Sequence, residues 1–367
     1  MTNTDLFKPI TLGRVKLQHR VVMAPLTRFR ADTDHIPLPI SAEYYTQRAS
    51  TPGTLIIAEA THISPRHCGA PYATGLWTKA QIEGWRTITD SVHVRGCSIF
   101  CQLIAPGRAG RLEGYPLYSS SAAAMEPGAE TPVEMTESDI WDCIDDFKVA
   151  ARNAIEAGFD GVELHGANGY LIDQFMQDVC NTRTDKWGGT KENRSRFVIE
   201  VAKAVVDAVG SDRVGVRLSP WSTFQGMKME VAAAEKQFSH VIGALKALKI
   251  TYLHLIESRV INNIDTEKKE GLEFAFDIWQ NQSPILVAGG FTAGSANKTV
   301  DEEYKGHDTL VVYGRYFVST PDLVYRLRHN LEFNPYDRST FYTPLQAEGY
   351  TDYPFSKEYL ESIDALV

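Results

Sequence analysis

Eight short apolar runs, each followed by a stretch of helical periodicity, constrain this chain more than any other feature. They are HRVVMAPL near residue 19, TLIIAEATHI near 54, SIFCQLI near 98 and GVELHGA near 161, then VGVRLSP near 214, TYLHLIES near 251, SPILVAGG near 283 and TLVVYGR near 309. Most are continuous rather than alternating. That is the pattern of strands covered on both faces, as in parallel sheets. Between them lie amphipathic segments. Thr136 is followed three residues later by Asp139, an N-cap signal. Ile140, Ile144, Phe147, Ala151 and Ala154 then share one helical face, which Gly158 ends. Phe197, Val201, Val205 and Ala208 repeat the arrangement up to Gly210. Trp187-Gly188-Gly189 followed by Glu192-Asn193-Arg194 reads as a turn and a helix start, without chemistry.

Alternating β and α predicts a parallel sheet. Eight such units favour a closed barrel, and the lack of GxGxxG after the first run weakens an open dinucleotide-binding sheet. Length alone, 367 residues, would allow two domains. No linker or low-complexity tract interrupts the recurrence, so the expectation is an α/β chain forming a single (β/α)8 TIM barrel over 1–367, with loop insertions. The insert between Gly107 and Met135 is long enough to be a lid.

Composition narrows the function. Hydrophobic residues make up 43% and charged residues 23%, which excludes disordered and fibrous classes. No run approaches the roughly 18 apolar residues of a membrane span. The opening MTNTDLFKPI lacks the basic-then-apolar layout of a signal peptide, so a soluble cytoplasmic protein is expected. The net charge of −9 argues against nucleic acid or an anionic membrane as partner. The cysteines Cys68, Cys97, Cys101, Cys143 and Cys180 show no CxxC spacing and read as reduced structural thiols.

In a barrel, function sits at the C-terminal ends of the strands. Those positions hold Pro25-Leu26-Thr27, Glu59-Ala60-Thr61, Gln102, His165 with Asn168, Arg217, Gly289-Gly290 and Gly314-Arg315. This set suits a planar polar ligand carrying a phosphate. His165 and Asn168 are three apart at a strand end, where imidazole and carboxamide can both donate to one carbonyl oxygen. Tyr170 adds a phenol able to deliver a proton to carbon. The alternative is a set of satisfied polar groups at a strand end. Arg217 is either the counter-charge of an anionic ligand atom or half of a salt bridge inside the barrel. Glycines in the last two loops, with Arg315, fit a phosphate site. His35, His62, His67 and Cys68 lack metal-ligand spacing, and the histidines read as scattered surface residues, so no metal is expected. The GxSxG nucleophile elbow is absent.

The segments HRVVMAPLTRFRA, CQLIAPGRA, GFDGVELHGANGYLIDQFMQDVCNTRTDKWGGTKENRSRF, VGVRLSP, YLHL, PILVAGGF and YGRYFVSTPDL together resemble the old yellow enzyme family of flavin-dependent ene reductases. The resemblance runs from Leu6 to about Phe355. RFRAD, EYYTQRAS and PGTL further resemble fungal members, including those acting on chanoclavine aldehyde in secondary metabolism. The resemblance implies non-covalent FMN, with NADPH or NADH as reductant. It assigns Pro25, Leu26, Thr27, Ala60, Gln102, His165, Arg217, Gly289, Gly290, Gly314, Arg315 and Phe341 to the cofactor. His165 and Asn168 would hold the substrate carbonyl, and Tyr170 would be the proton donor. Ile104, His165, Asn168, Tyr170 and Tyr342 would wall the substrate pocket, under a C-terminal aromatic-rich segment (336–367). Many relatives carry tryptophan where this chain has Ile104, which implies room for a bulkier substrate.

The expected activity is ping-pong NAD(P)H-dependent reduction of C=C bonds conjugated to an aldehyde or ketone. The expected partner is a small molecule with an activated alkene, and the chain would act as a monomer or homodimer. Two alternatives are an FMN-dependent alkene isomerase without net reduction and a non-catalytic flavin- or phosphate-binding barrel.

Overall fold

All eight runs become strands of one closed barrel. They are β1 (Val21–Met23), β2 (Leu55–His62), β3 (Ser98–Ile104), β4 (Gly161–Gly166), β5 (Val214–Leu218), β6 (Tyr252–Ile256), β7 (Ile285–Ala288) and β8 (Thr309–Tyr313). Each pairs in parallel with the next, and β8 pairs with β1 to close the ring. The structure, a computed structural model, describes residues 4–111, 114–258, 260–261, 264–265 and 269–365. The fold is a (β/α)8 TIM barrel.

The helix Glu137–Glu156 begins where the sequence places it. Thr136 and Asp139 form a reciprocal capping box. Ile140, Ile144, Phe147, Ala151 and Ala154 are buried against the sheet. Gly158 has φ +91, and a Cβ there would lie 2.6 Å from Thr89 Oγ1, so both backbone and space demand glycine. The helix Lys191–Val209 starts at Thr190, whose side chain accepts from the Asn193 amide, and ends at Gly210, φ +95.

Side chains alternate between two cores. Outward residues such as Ile56, Val162, Val216 and Val287 pack under the helices with Phe147, Phe197 and Trp279. Inward residues Val22, Leu55, Ile57, Phe100, Leu286 and Leu310 fill the barrel interior. The N-terminal hairpin Ile10–Leu12/Val15–Leu17 adds Leu12, Val15 and Leu17 to that inner cluster and plugs the end remote from the site. Burying each such side chain stabilises by about 1.5–3 kcal/mol.

One irregularity matters for function. Ala58 pairs with Cys101, but the next pair is Thr61 with Leu103, so β2 carries one extra residue. A one-residue bulge flips every side chain beyond it to the other face. Leu55 and Ile57 point inward before it, whereas Ala60 and His62 line the interior after it. Glu59 and Thr61 therefore leave the site. Glu59 instead lies buried beside Tyr45 and accepts from the Arg28 amide.

The reading of His62 and His67 as surface residues is corrected: they are 5% and 3% exposed. The bulge folds the first inward, and the turn Pro65–His67 tucks the second under the chain. Among the described residues no helix is long and apolar enough to cross a membrane. All five cysteines are free and buried. Burial raises the Cys97 thiol to about 11 and the Cys101 thiol to about 12, which keeps them protonated, as structural thiols should be.

Candidate active site

Two adjoining cavities open at the C-terminal ends of the strands. One, of about 210 Å3, lies over β6–β8 and β1 and is lined by Gly289, Gly290, Gly314, Arg315 and Phe341. The other, of about 460 Å3, lies over β1–β5 and is lined by Thr27, Ala60, Gln102, Ile104, His165 and Tyr170. Pro25, Leu26, Asn168, Arg217 and Tyr342 line both. Apart from Glu59 and Thr61, every site residue expected from the sequence thus borders one continuous space.

The floor of the larger cavity is a buried polar cluster. Glu163 accepts from Gln102 Nε2 at 2.7 Å, Tyr252 Oη at 3.0 Å and His254 Nδ1 at 2.8 Å. Burial alone would raise its pKa. The neighbouring His254, Arg217 and Gln102 outweigh burial and hold it below the usual carboxylate value. Burial lowers His254, so the pair is a carboxylate with a neutral imidazole.

Arg217 sits opposite His165 and His254 in the strand register. It is buried, its Nε has no partner, and its guanidinium makes no hydrogen bond among the described residues. The salt bridge inside the barrel is therefore not formed among the described residues, and Glu163 accepts from three other donors instead. A buried cation without a partner is costly unless a ligand completes it.

His165 is the second incomplete group. Burial and the charge of Arg217 push its pKa well down, so the ring is neutral. Its Nδ1 is buried and unpartnered, and its ring meets Tyr170 edge-on at 4.8 Å. Asn168 follows in a left-handed conformation, φ +58, that asparagine tolerates better than most residues. Its amide donates to Ser219 Oγ at 2.8 Å, and its carbonyl accepts from Gln225 Nε2 at 2.9 Å. The backbone is thereby fixed while the carboxamide makes no hydrogen bond among the described residues. Burial raises the Tyr170 phenol, which keeps its proton at neutral pH, with Gln225 as hydrogen-bond neighbour.

The C-terminal segment is tied to the first strand's loop by two buried arginines. Arg28 donates to the carbonyls of Phe341 and Gly349, at 3.0 and 2.7 Å. Arg30 donates to the carbonyls of Gln346 and Glu348, at 3.0 and 3.2 Å. Their guanidinium groups also lie over the Tyr350 ring. Phe341 is thereby held in the smaller cavity, while Tyr342, half exposed, borders both. Sequence reasoning missed these two clamps as well as Phe224, Gln225, Arg111 and His62. Two arginines one residue apart, Arg28 and Arg30, were the available signal for the clamps.

The geometry agrees with kinship. Residues 5–334 match the family described as NADH:flavin oxidoreductase / NADH oxidase. The chain belongs to this family, the old yellow enzymes.

Among curated relatives of this old yellow enzyme, a chanoclavine-I aldehyde reductase of Penicillium roqueforti is 49% identical, with 99% of each chain covered. An NADP-dependent oxidoreductase of Aspergillus flavus is 50% identical over 99% of this chain and all of the relative. A protein of Epichloe festucae var. lolii, 48% identical over 98% and 97%, is described as a probable inactive reductase. Among solved structures, the Old Yellow Enzyme of Pichia sp. AKU4542 superposes with a TM-score of 0.90 at 35% identity, covering 97% of this chain and 95% of that one. Morphinone reductase superposes at 0.88, 36% identical and covering 97% of both.

The chain is an oxidoreductase that uses FMN with NAD(P)H as reductant. The donor set fits that cofactor. An unpartnered cation, an amide and a hydroxyl face one cavity beside the small Ala60, and glycines border the other.

Proposed function

We propose that this old yellow enzyme reduces activated C=C bonds of α,β-unsaturated aldehydes and ketones. The observation that carries the reading is the pair of incomplete donors: neutral His165 and the unbonded carboxamide of Asn168 line one cavity with protonated Tyr170.

When bound, FMN supplies the hydride relay between NAD(P)H and the alkene. Gly289, Gly290, Gly314 and Arg315 would hold its phosphate, where glycine amides approach closely and Arg315 adds charge. Arg217 would face the pyrimidine edge as counter-charge, with Gln102 nearby and held from below by Glu163. Thr27 would donate its hydroxyl to the ring, and Ala60 leaves the face of the ring clear. Pro25, Leu26 and Phe341 exclude water around it.

His165 and Asn168 hold the substrate carbonyl and polarise the conjugated alkene. Because His165 is neutral, it donates one hydrogen bond without presenting a charge. Tyr170 delivers its proton to the α-carbon as the β-carbon is reduced. NAD(P)H and substrate both reach the cofactor through the larger cavity, so each must leave before the other enters, and ping-pong kinetics follow.

An anaerobic spectral titration tests this. Yellow protein should bleach with NADPH and recover its colour with 2-cyclohexenone, giving cyclohexanone with one NADPH consumed per product. An isomer formed without NADPH consumption would replace this reading with alkene isomerisation. Bleaching with no recovery from any enone would leave a flavoprotein that is not an ene reductase.

A further inference from the structure

One wall of the larger cavity takes no part in the chemistry proposed above. The extra residue in β2 turns His62 towards this space together with Ala60. The main chain of His62 is pinned on both sides: its amide donates to the Thr74 carbonyl at 2.9 Å, and its carbonyl accepts from the Leu76 amide at 3.1 Å. Its Nδ1 lies 3.2 Å from the same Thr74 carbonyl oxygen. A carbonyl only accepts, so Nδ1 carries the ring proton. Nε2 is then a bare acceptor, and it makes no hydrogen bond among the described residues. Burial holds the ring neutral by lowering its pKa to about 4. The neighbouring lining (Ala60, Ala70, Ala73, Ile104 and Pro106) has no side-chain donor to offer. A fixed acceptor in an apolar wall discriminates in favour of ligands that bring a donor to it.

We propose that His62 determines specificity: its Nε2 accepts a hydrogen bond from an N–H or O–H at the end of the substrate remote from the reacting carbonyl. The preferred substrates are then activated alkenes with a donor at that end. This rests on the ene-reductase reading. The strand register sets the span. Ile104 pairs with His62 and Leu103 with Leu164, so His62, Ile104 and His165 end adjacent strands at one level. Two inter-strand spacings separate the His62 and His165 backbones by on the order of 10 Å. A rigid aryl enal with a para hydroxyl, 4-hydroxycinnamaldehyde, bridges such a span.

The test compares 4-hydroxycinnamaldehyde with 4-methoxycinnamaldehyde, which has similar electronic character but no donor. With wild-type holoenzyme, kcat/KM for the hydroxy compound should exceed that for its methyl ether by about tenfold or more. In His62→Phe the ratio should fall to near one, while kcat/KM for 2-cyclohexenone, too small to reach His62, stays within about twofold. His62→Gln can donate to Thr74 and still present an oxygen, so it should restore much of the ratio. A ratio unchanged in His62→Phe overturns the proposal, as does an equal loss for 2-cyclohexenone.

Calorimetric binding of 4-hydroxybenzaldehyde and 4-methoxybenzaldehyde to the oxidised holoenzyme separates this from the reaction itself, since neither has an alkene. A donor preference that His62→Phe abolishes supports the subsite even if no enone is reduced. Equal preference in both proteins removes the subsite even if the enzyme is an ene reductase.

Discussion

The barrel interior has two unlike halves. β7, β8, β1 and the first part of β2 contribute Leu286, Ala288, Leu310, Val312, Val22, Ala24, Leu55 and Ile57. β3 to β6 contribute Gln102, Glu163, His165, Arg217 and His254, with Phe100 and Tyr252 at the bottom. The apolar half is complete in itself: every group packs, and nothing polar is left over. The polar half is not closed even at its floor, where Glu163 satisfies three donors but His254 Nε2 has no partner among the described residues. At its rim Arg217 and His165 keep unmatched groups. The first half stabilises the fold, and the second holds charge in place for a ligand.

Substitutions should separate these roles, and the largest effect belongs at the polar rim. His165→Ala with Asn168→Ala removes both carbonyl donors, and alkene-dependent turnover should fall by about 10²–10³ or more. Flavin affinity should change far less. Turnover near wild type in the double variant would reject the assignment. Tyr170→Phe should slow reoxidation by an enone by roughly 10²-fold while sparing reduction by NADPH. Stopped-flow kinetics resolve the two half-reactions, and equal slowing of both would show that Tyr170 is not the proton donor.

The apolar half should answer in stability instead. Leu310→Ala empties a fully buried site and should cost about 2–5 kcal/mol in denaturant unfolding. If it changes enone turnover per bound flavin more than stability, the division between halves fails. His62 makes a pH-dependent contribution of its own. Its folded pKa of about 4 lies below its ordinary 6.5, so the unfolded chain binds the extra proton first. Its contribution is full above pH 6.5 and is lost as pH falls towards 4. Relative to His62→Phe, wild type should lose about 3 kcal/mol over that window. Parallel stability curves for the two proteins would contradict the buried neutral ring. The smallest effect is expected from Thr27→Ala. Losing one hydrogen bond to the flavin should lower its potential by on the order of 10–35 mV, read by spectroelectrochemistry. An unchanged potential would remove Thr27 from the ring's neighbours.

The order of strands was legible because continuous apolar runs separated by capped, amphipathic helices admit few folds. Much of the site was legible for the same reason, since a barrel gathers strand ends at one rim. Periodicity failed at β2. Simple alternation beyond Ile57 places Glu59 and Thr61 inward, and only the mismatch of β2 against β3 turns Ala60 and His62 in instead. The depth of His67 and the clamping of the C-terminal segment by Arg28 and Arg30 were hidden likewise. The clamps depend on carbonyls more than 300 residues away, and backbone acceptors leave no mark in composition.

By itself, the sequence determined the class of fold, the eight strands and the residue types that reach the rim. These follow from local preferences: burial on both strand faces, helix capping, and glycine where no Cβ fits. Only the tertiary structure decided which polar groups are spent and which stay open. Glu163 could have paired with Arg217, but in the fold it accepts from Gln102, Tyr252 and His254, and the guanidinium makes no hydrogen bond among the described residues. Hydrogen bonds saturate, so whether a buried group is free for a ligand depends on every neighbour at once, and those neighbours come from different strands.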